Sequence, residues 1–196
     1  MPGITGIITK HVSGNEKEKV DIMLQCMLHE SFYTRGTYKN TDNGLFIGFC
    51  ALEKSFADCM PVFNETKDIV LFMTGESYHD RFDIDALSKR GHHFNPQNAS
   101  CLVHMYEEEG ESLFKNLNGW FNGILLDLRN SKTILFNDRC GRDQVEGLDF
   151  FVLYFLGQED GAVNGQDDDQ ATEKGGQEPV HLLVLLLFRA LLPIQV

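Results

Sequence analysis

Near the start of the chain, Gly3-Ile4-Thr5-Gly6-Ile7-Ile8-Thr9 sets three isoleucines in a run without the polar alternation of a half-buried strand. Such a run reads as a short, fully buried strand, and Gly6 leaves room for another backbone to come close. A strand hidden on both faces needs covering layers, which the remaining sequence must supply. From Asn15 to Glu30, Val20, Met23, Leu24, Met27 and Leu28 recur at helical spacing, and Ser13 with Glu16 three residues on has the form of a capping box. An amphipathic helix therefore follows the first strand.

Leu45 to Leu52 and Asp68 to Thr74 are strand-like, with Pro61 and Asn64-Glu65-Thr66-Lys67 between them as breaker and turn, which implies a meander. Asp83 to Arg90 reads as a short helix closed by Gly91. Asn98 is placed to cap a second helix that runs to Glu109, stops at Gly110 and carries Leu102, Val103 and Tyr106 on one face. After a helical turn around Ser112 to Lys115, Trp120 to Leu128 and Thr133 to Phe136 form a hairpin about Arg129-Asn130-Ser131-Lys132. Strands, then helices, then strands define an α+β fold and not an alternating β/α one.

The net charge of −12 repels phosphate backbones and anionic lipid, so neither nucleic acid nor a membrane is an expected partner. Much of that charge lies in residues 157–180, whose Gly, Gln and acidic composition reads as a disordered spacer. It separates a domain over residues 1–156 from an apolar tail over 181–196. As a helix, the apolar stretch Leu182 to Ile194 would span about 20 Å against the roughly 30 Å of a bilayer core. Five scattered cysteines with no C-x-x-C pair suit reduced thiols, and the first residues lack a charged and apolar leader, so the expected location is cytoplasmic.

Five motifs occur in order: Gly3-Ile4-Thr5-Gly6-Ile7, Val70-Leu71-Phe72-Met73-Thr74-Gly75-Glu76, His104-Met105-Tyr106-Glu107-Glu108-Glu109-Gly110, Leu117-Asn118-Gly119-Trp120-Phe121 and Asp138-Arg139-Cys140-Gly141. Together, from residue 1 to about 143, they resemble the class II glutamine amidotransferase domain of the asparagine synthetase family. The resemblance implies an N-terminal-nucleophile hydrolase fold: an αββα sandwich of two antiparallel sheets with flanking helices. In active members a cysteine at the head of the first strand attacks the glutamine side-chain amide, and its α-amine serves as base.

Residue by residue, the resemblance implies loss of that reaction. Pro2 stands in the nucleophile position and has no side-chain heteroatom. The family's Asn-Gly-Glu oxyanion motif is matched by Thr74-Gly75-Glu76, where the glycine amide is kept and the Asn amide lost. The arginine that clamps the substrate carboxylate falls at or near Cys50, and the amine-binding Asp falls at Asn98, while Arg35-Gly36 keeps half of an Arg-Gly-Pro-Asp motif. No catalytic residue and no cofactor are assigned, and these losses argue against glutamine binding; Thr74, Gly75, Glu76 and Asn98 remain as vestigial substrate-side positions. His92, His93 and His104 lack zinc-ligand spacing, so no metal is expected. No ATP-pyrophosphatase loop of the form Ser-Gly-Gly-x-Asp-Ser occurs, which points to a separate synthetase subunit as partner and to a non-catalytic scaffold role. The alternatives are altered chemistry with Pro2 as base, or with Thr5 or Cys26 as nucleophile, and a truncated or mis-joined fragment of a full synthetase.

Overall fold

A computed structural model of the chain describes residues 2–9, 11–79, 81–138, 153–156 and 183–188. In chain order the elements are β1 (Gly3–Ile8), α1 (Glu16–Met27), β2 (Tyr33–Asn40), β3 (Leu45–Leu52), β4 (Val62–Phe63), β5 (Ile69–Ser77), α2 (Arg81–Lys89), α3 (Ser100–Glu109), α4 (Ser112–Asn116), β6 (Gly119–Asp127), β7 (Lys132–Asn137), β8 (Leu153–Leu156) and β9 (Leu183–Phe188). They build two antiparallel sheets, ordered β2-β3-β1-β9 and β4-β5-β6-β7-β8. The α+β class expected from the sequence is the class observed.

The sheets face one another through alternate side chains. Ile4, Leu45, Ile47 and Phe49 of the first sheet share one buried cluster with Val70, Phe72, Ile124 and Leu126 of the second. Phe72 lies with its ring centroid 5.2 Å from that of Tyr38 and 5.8 Å from that of Phe49, so aromatic contacts hold the layers together. On the outer face of the first sheet, Val20, Leu24 and Met27 of α1 cover Ile7, Phe46 and Cys50. The second sheet is covered by α3, which packs on β4 and β5. Covered from both sides, β1 is buried at five of its six residues, as its unalternated sequence requires.

Three features differ from the sequence reading. The strands Leu45–Leu52 and Ile69–Ser77 do not form a meander: they belong to different sheets, because residues 53–61 carry the chain from one layer to the other and β5 pairs with β4 and β6 instead. Strand β2 has no counterpart in that reading. As an edge strand with partly or fully exposed residues throughout, its Thr-Arg-Gly-Thr-Tyr-Lys-Asn sequence carries little apolar signal. Finally, residues Leu183–Phe188 of the apolar tail pair with the whole of β1, from Ile8↔Leu183 to Gly3↔Phe188. The acidic stretch 157–180, expected to be disordered, lies outside the described residues.

The capping box forms only in part. The Glu16 carboxylate accepts from the backbone N–H groups of Ser13 (2.7 Å) and Gly14 (2.8 Å), and the Ser13 hydroxyl donates to it at 2.5 Å and does not cap the helix backbone. The Ser13 hydroxyl and backbone hold the Glu16 carboxyl down to about 2. A depressed carboxyl stabilises the fold above its ordinary pKa, and that contribution is lost as pH falls toward 2. Ser13→Ala is therefore expected to move the Glu16 titration, followed by NMR, up toward the normal carboxylate range and to shift acid unfolding to higher pH.

Candidate functional site

The residues singled out by resemblance lie at the head of β1, at the end of β5 and in the turn before α3. Pro2 is half-buried and directly precedes Gly3. Gly3 pairs across the sheet with Cys50, and Cys50 with Arg35, so these three backbones form one row. The Cys50 side chain, however, packs beneath α1 against Leu24 and Met27, and burial pushes its thiol up. It lies on the outer face of its sheet and does not share the inter-sheet space.

Thr74 stands two residues beyond Phe72 and therefore on the inter-sheet face of β5. It is buried at 3% exposure and sits opposite Asn122, which sits opposite Asn137 on β7. Both amide atoms of Asn122 and the Nδ2 of Asn137 are buried without a hydrogen-bond partner among the described residues. Sequence reasoning missed this polar row, although an Asn inside the apolar run Phe121–Leu126 was a visible signal. The row can donate and accept hydrogen bonds, but it contains no base and no activated nucleophile.

Gly75 lies within β5, which continues to Ser77 and so runs past Thr74, where the sequence reading ended the strand. Its φ is +93°, and a Cβ there would lie 1.9 Å from the carbonyl oxygen of Trp120 on β6. Gly119, on the facing strand, meets Glu76 in the same way, with a Cβ-to-oxygen approach of 2.2 Å. Glu76 is exposed and accepts from the Tyr78 hydroxyl at 3.2 Å. Asn98 bonds within its own turn: its Oδ1 accepts from the Ser100 backbone N–H at 3.0 Å and from the Ser100 hydroxyl at 2.6 Å, one residue ahead of the N-cap Ala99. Asn98 thus fastens the turn before α3, and the N-cap is Ala99 and not Asn98 as its position suggested.

The alternative nucleophiles are poorly placed. Thr5 is fully buried on the α1 side of β1 with its hydroxyl on the Met23 sulfur at 3.4 Å, and Cys26 is exposed on α1. The buried Cys101 thiol is pushed by burial up to about 12. A cleft of about 320 Å³ opens between α3, α4 and the end of β5, lined by Tyr78, Met105, Leu113 and Leu117, and none of the four vestigial positions lines it. Elsewhere, the fold gathers four groups able to hold a metal: Glu65, His92, His104 and Glu107.

Taken together, fold and site define a two-sheet α+β domain with a glycine-bearing strand pair at the edge of its inter-sheet space. Residues 50–145 match the model of a glutamine amidotransferase domain. The chain is 32% identical over 109 residues to the nodule glutamine-hydrolysing asparagine synthetase of Pisum sativum, covering 54% of this chain and 18% of that protein. It is 33% identical over 109 residues to asparagine synthetase 1 of Arabidopsis thaliana, with the same coverage, and 35% identical over 82 residues to the enzyme of Sandersonia aurantiaca, covering 41% of this chain and 15% of that protein. Over these residues the chain is thus similar to the glutamine amidotransferase domain and to asparagine synthetases, and the matched part spans less than a fifth of those relatives. The domain match begins at Cys50, so β1, Pro2 and Arg35 precede it. No described helix is long and apolar enough to cross a membrane.

Proposed function

We propose that this chain is an asparagine synthetase-like, N-terminal-nucleophile-type glutaminase domain without glutaminase activity, serving as scaffold for an ATP-dependent synthetase half. The observation that carries this reading is Pro2 at the head of the buried strand β1, where the reaction needs a thiolate. A pyrrolidine ring supplies no atom that can form a thioester. Three placements support it: the Cys50 side chain turns toward α1, Asn98 is spent on its own turn, and Thr74 offers a short hydroxyl where an oxyanion hole needs a side-chain amide.

A domain of this kind would keep its sandwich for the surface it presents to the synthetase half. Incubating the protein with glutamine and measuring released ammonia tests the reading, and turnover above a protein-free blank would overturn it. Because several positions differ, Pro2→Cys alone is expected to leave ammonia release at background; appreciable turnover by that variant would show that Thr74 and Asn98 still handle substrate.

A further inference from the structure

We propose that Glu65, His92, His104 and Glu107 form a tetrahedral site for one divalent cation of the zinc class. The four come from three segments: Glu65 from the turn between β4 and β5, His92 from the turn after α2, and His104 and Glu107 from one turn of α3. One ligand atom of each lies within 4.8 Å of all the others. His104 Nδ1 is 3.0 Å from Glu107 Oε2 and 3.4 Å from Glu65 Oε2, and His92 Nδ1 is 3.7 Å from the same Glu107 oxygen. Tetrahedral zinc with bonds of about 2.0–2.1 Å holds its ligand atoms roughly 3.3 Å apart, so the three measured separations bracket what the ion would impose.

The surrounding hydrogen bonds supply the outer shell that an ion at this position would need. His92 Nε2 lies 3.0 Å from Glu108 Oε1, and Arg90 holds the other oxygen of Glu108 at 2.6 Å. In the neutral tautomer whose Nε2–H donates to Glu108, His92 Nδ1 presents its lone pair toward the Glu107 oxygen, the arrangement in which both atoms can ligate one cation. Glu107 is fixed likewise: its Oε1 accepts from Asn64 Nδ2 at 2.8 Å, while Asn64 Oδ1 accepts from the backbone N–H of Ile69 at 2.9 Å. A carboxylate on the far nitrogen of a ligating histidine and a held ligand carboxylate are the usual outer shell of a metal site.

Two carboxylates and two neutral imidazoles carry a net charge that complements a divalent ion, and an N2O2 donor set suits zinc and its first-row neighbours. Four protein ligands leave no open position, so the ion would be structural, tying α3 to the two turns beside it. His104 is nearly buried and Glu65 half-exposed, which leaves a way in past Glu65. The site was invisible in sequence because His92 and His104 come from different elements; only His104-x-x-Glu107 shares a helix face.

The test uses the whole chain, stripped with chelator and dialysed, then titrated with Zn2+ by calorimetry and with Co2+ by visible absorption. The expected result is one equivalent bound, with a tetrahedral Co2+ spectrum. Glu65→Gln and His92→Gln, both outside the core, should each weaken binding by more than about 100-fold, and Glu108→Gln by about 10-fold, in line with outer-shell effects. Zn2+ should raise the melting temperature of the parent protein and not that of His92→Gln. No binding by the parent protein, or equal binding by Glu65→Gln and His92→Gln, would overturn the proposal and leave the four residues as an ion-pair cluster.

Discussion

Gly75→Ala is expected to destabilise the fold by about 3 kcal/mol or more, the range of strained backbone combined with a steric clash. Two causes act together at this position. The φ of +93° is one that alanine adopts only with strain, and the new methyl would sit 1.9 Å from the Trp120 carbonyl oxygen, which belongs to the neighbouring strand and cannot turn away. Relief would require β5 and β6 to separate at the Gly75↔Phe121 pair, close to the equally tight Gly119. Gly91→Ala is the matched control: its φ is +95°, but nothing lies within 4 Å of the added Cβ, so only the backbone strain is incurred, about 1–2 kcal/mol. Chemical denaturation of both variants checks the contrast, and equal losses would show that the strand crossing is looser than its geometry implies.

That contrast bears on function. By resemblance Gly75 supplies an oxyanion amide in active enzymes, so its presence beside Pro2 could be read as a trace of catalysis. The packing against Trp120 gives a sufficient reason for glycine that involves no chemistry. A domain that hydrolyses nothing must still keep Gly75 and Gly119 to hold its second sheet together. The presence of Gly75 by itself therefore carries no weight for or against glutaminase activity.

What the sequence made legible follows the strength of local signals. The unbroken Gly3–Thr9 run, the helical spacing of Val20, Leu24 and Met27, and the apolar run Leu45–Leu52 each encode an element in contiguous residues, and each appears close to its expected bounds. Strand β2 was not legible, because an edge strand can be polar and takes its structure from pairing with β3. The split of β3 and β5 between two sheets was not legible either, since the turn residues at 61–67 signal a reversal without saying which layer the chain enters. At the site, motif order located Thr74-Gly75-Glu76, but Asn122 and Asn137 became their neighbours only through strand register. The same holds for His92 and His104, brought to a ring separation of 5.0 Å by the packing of α2 beside α3.

Asp127→Ala is expected to cost about 3 kcal/mol, because it removes the centre of a buried polar network and not a surface contact. Asp127 is 1% exposed at the end of β6. Its Oδ1 accepts from the Arg129 side chain at 2.9 Å and the Arg129 backbone at 3.1 Å. Its Oδ2 accepts from Arg129 at 2.8 Å, Asn130 at 3.0 Å and the Tyr106 hydroxyl at 3.3 Å. Removing the carboxylate releases the half-exposed Arg129 to water at little loss, but leaves the hydroxyl of buried Tyr106 on α3 without its acceptor. For a chain of this size the loss should lower the melting temperature by about 6–12 °C. In the double variant Tyr106→Phe/Asp127→Ala the orphaned hydroxyl is gone, so the combined cost should be less than the sum of the two singles. The network also sets a pH limit. Burial alone would raise the Asp127 carboxyl, but hydrogen bonds from the Arg129 and Asn130 side chains outweigh it and hold the group below its ordinary value. A depressed carboxyl contributes stability that is complete above about pH 4 and is lost as pH falls through the lowered value. The gap in stability between parent and Asp127→Ala should therefore be full at neutral pH and narrow on acidification below pH 4, and a gap that stayed constant down to pH 2 would mean that the charge of Asp127 contributes nothing.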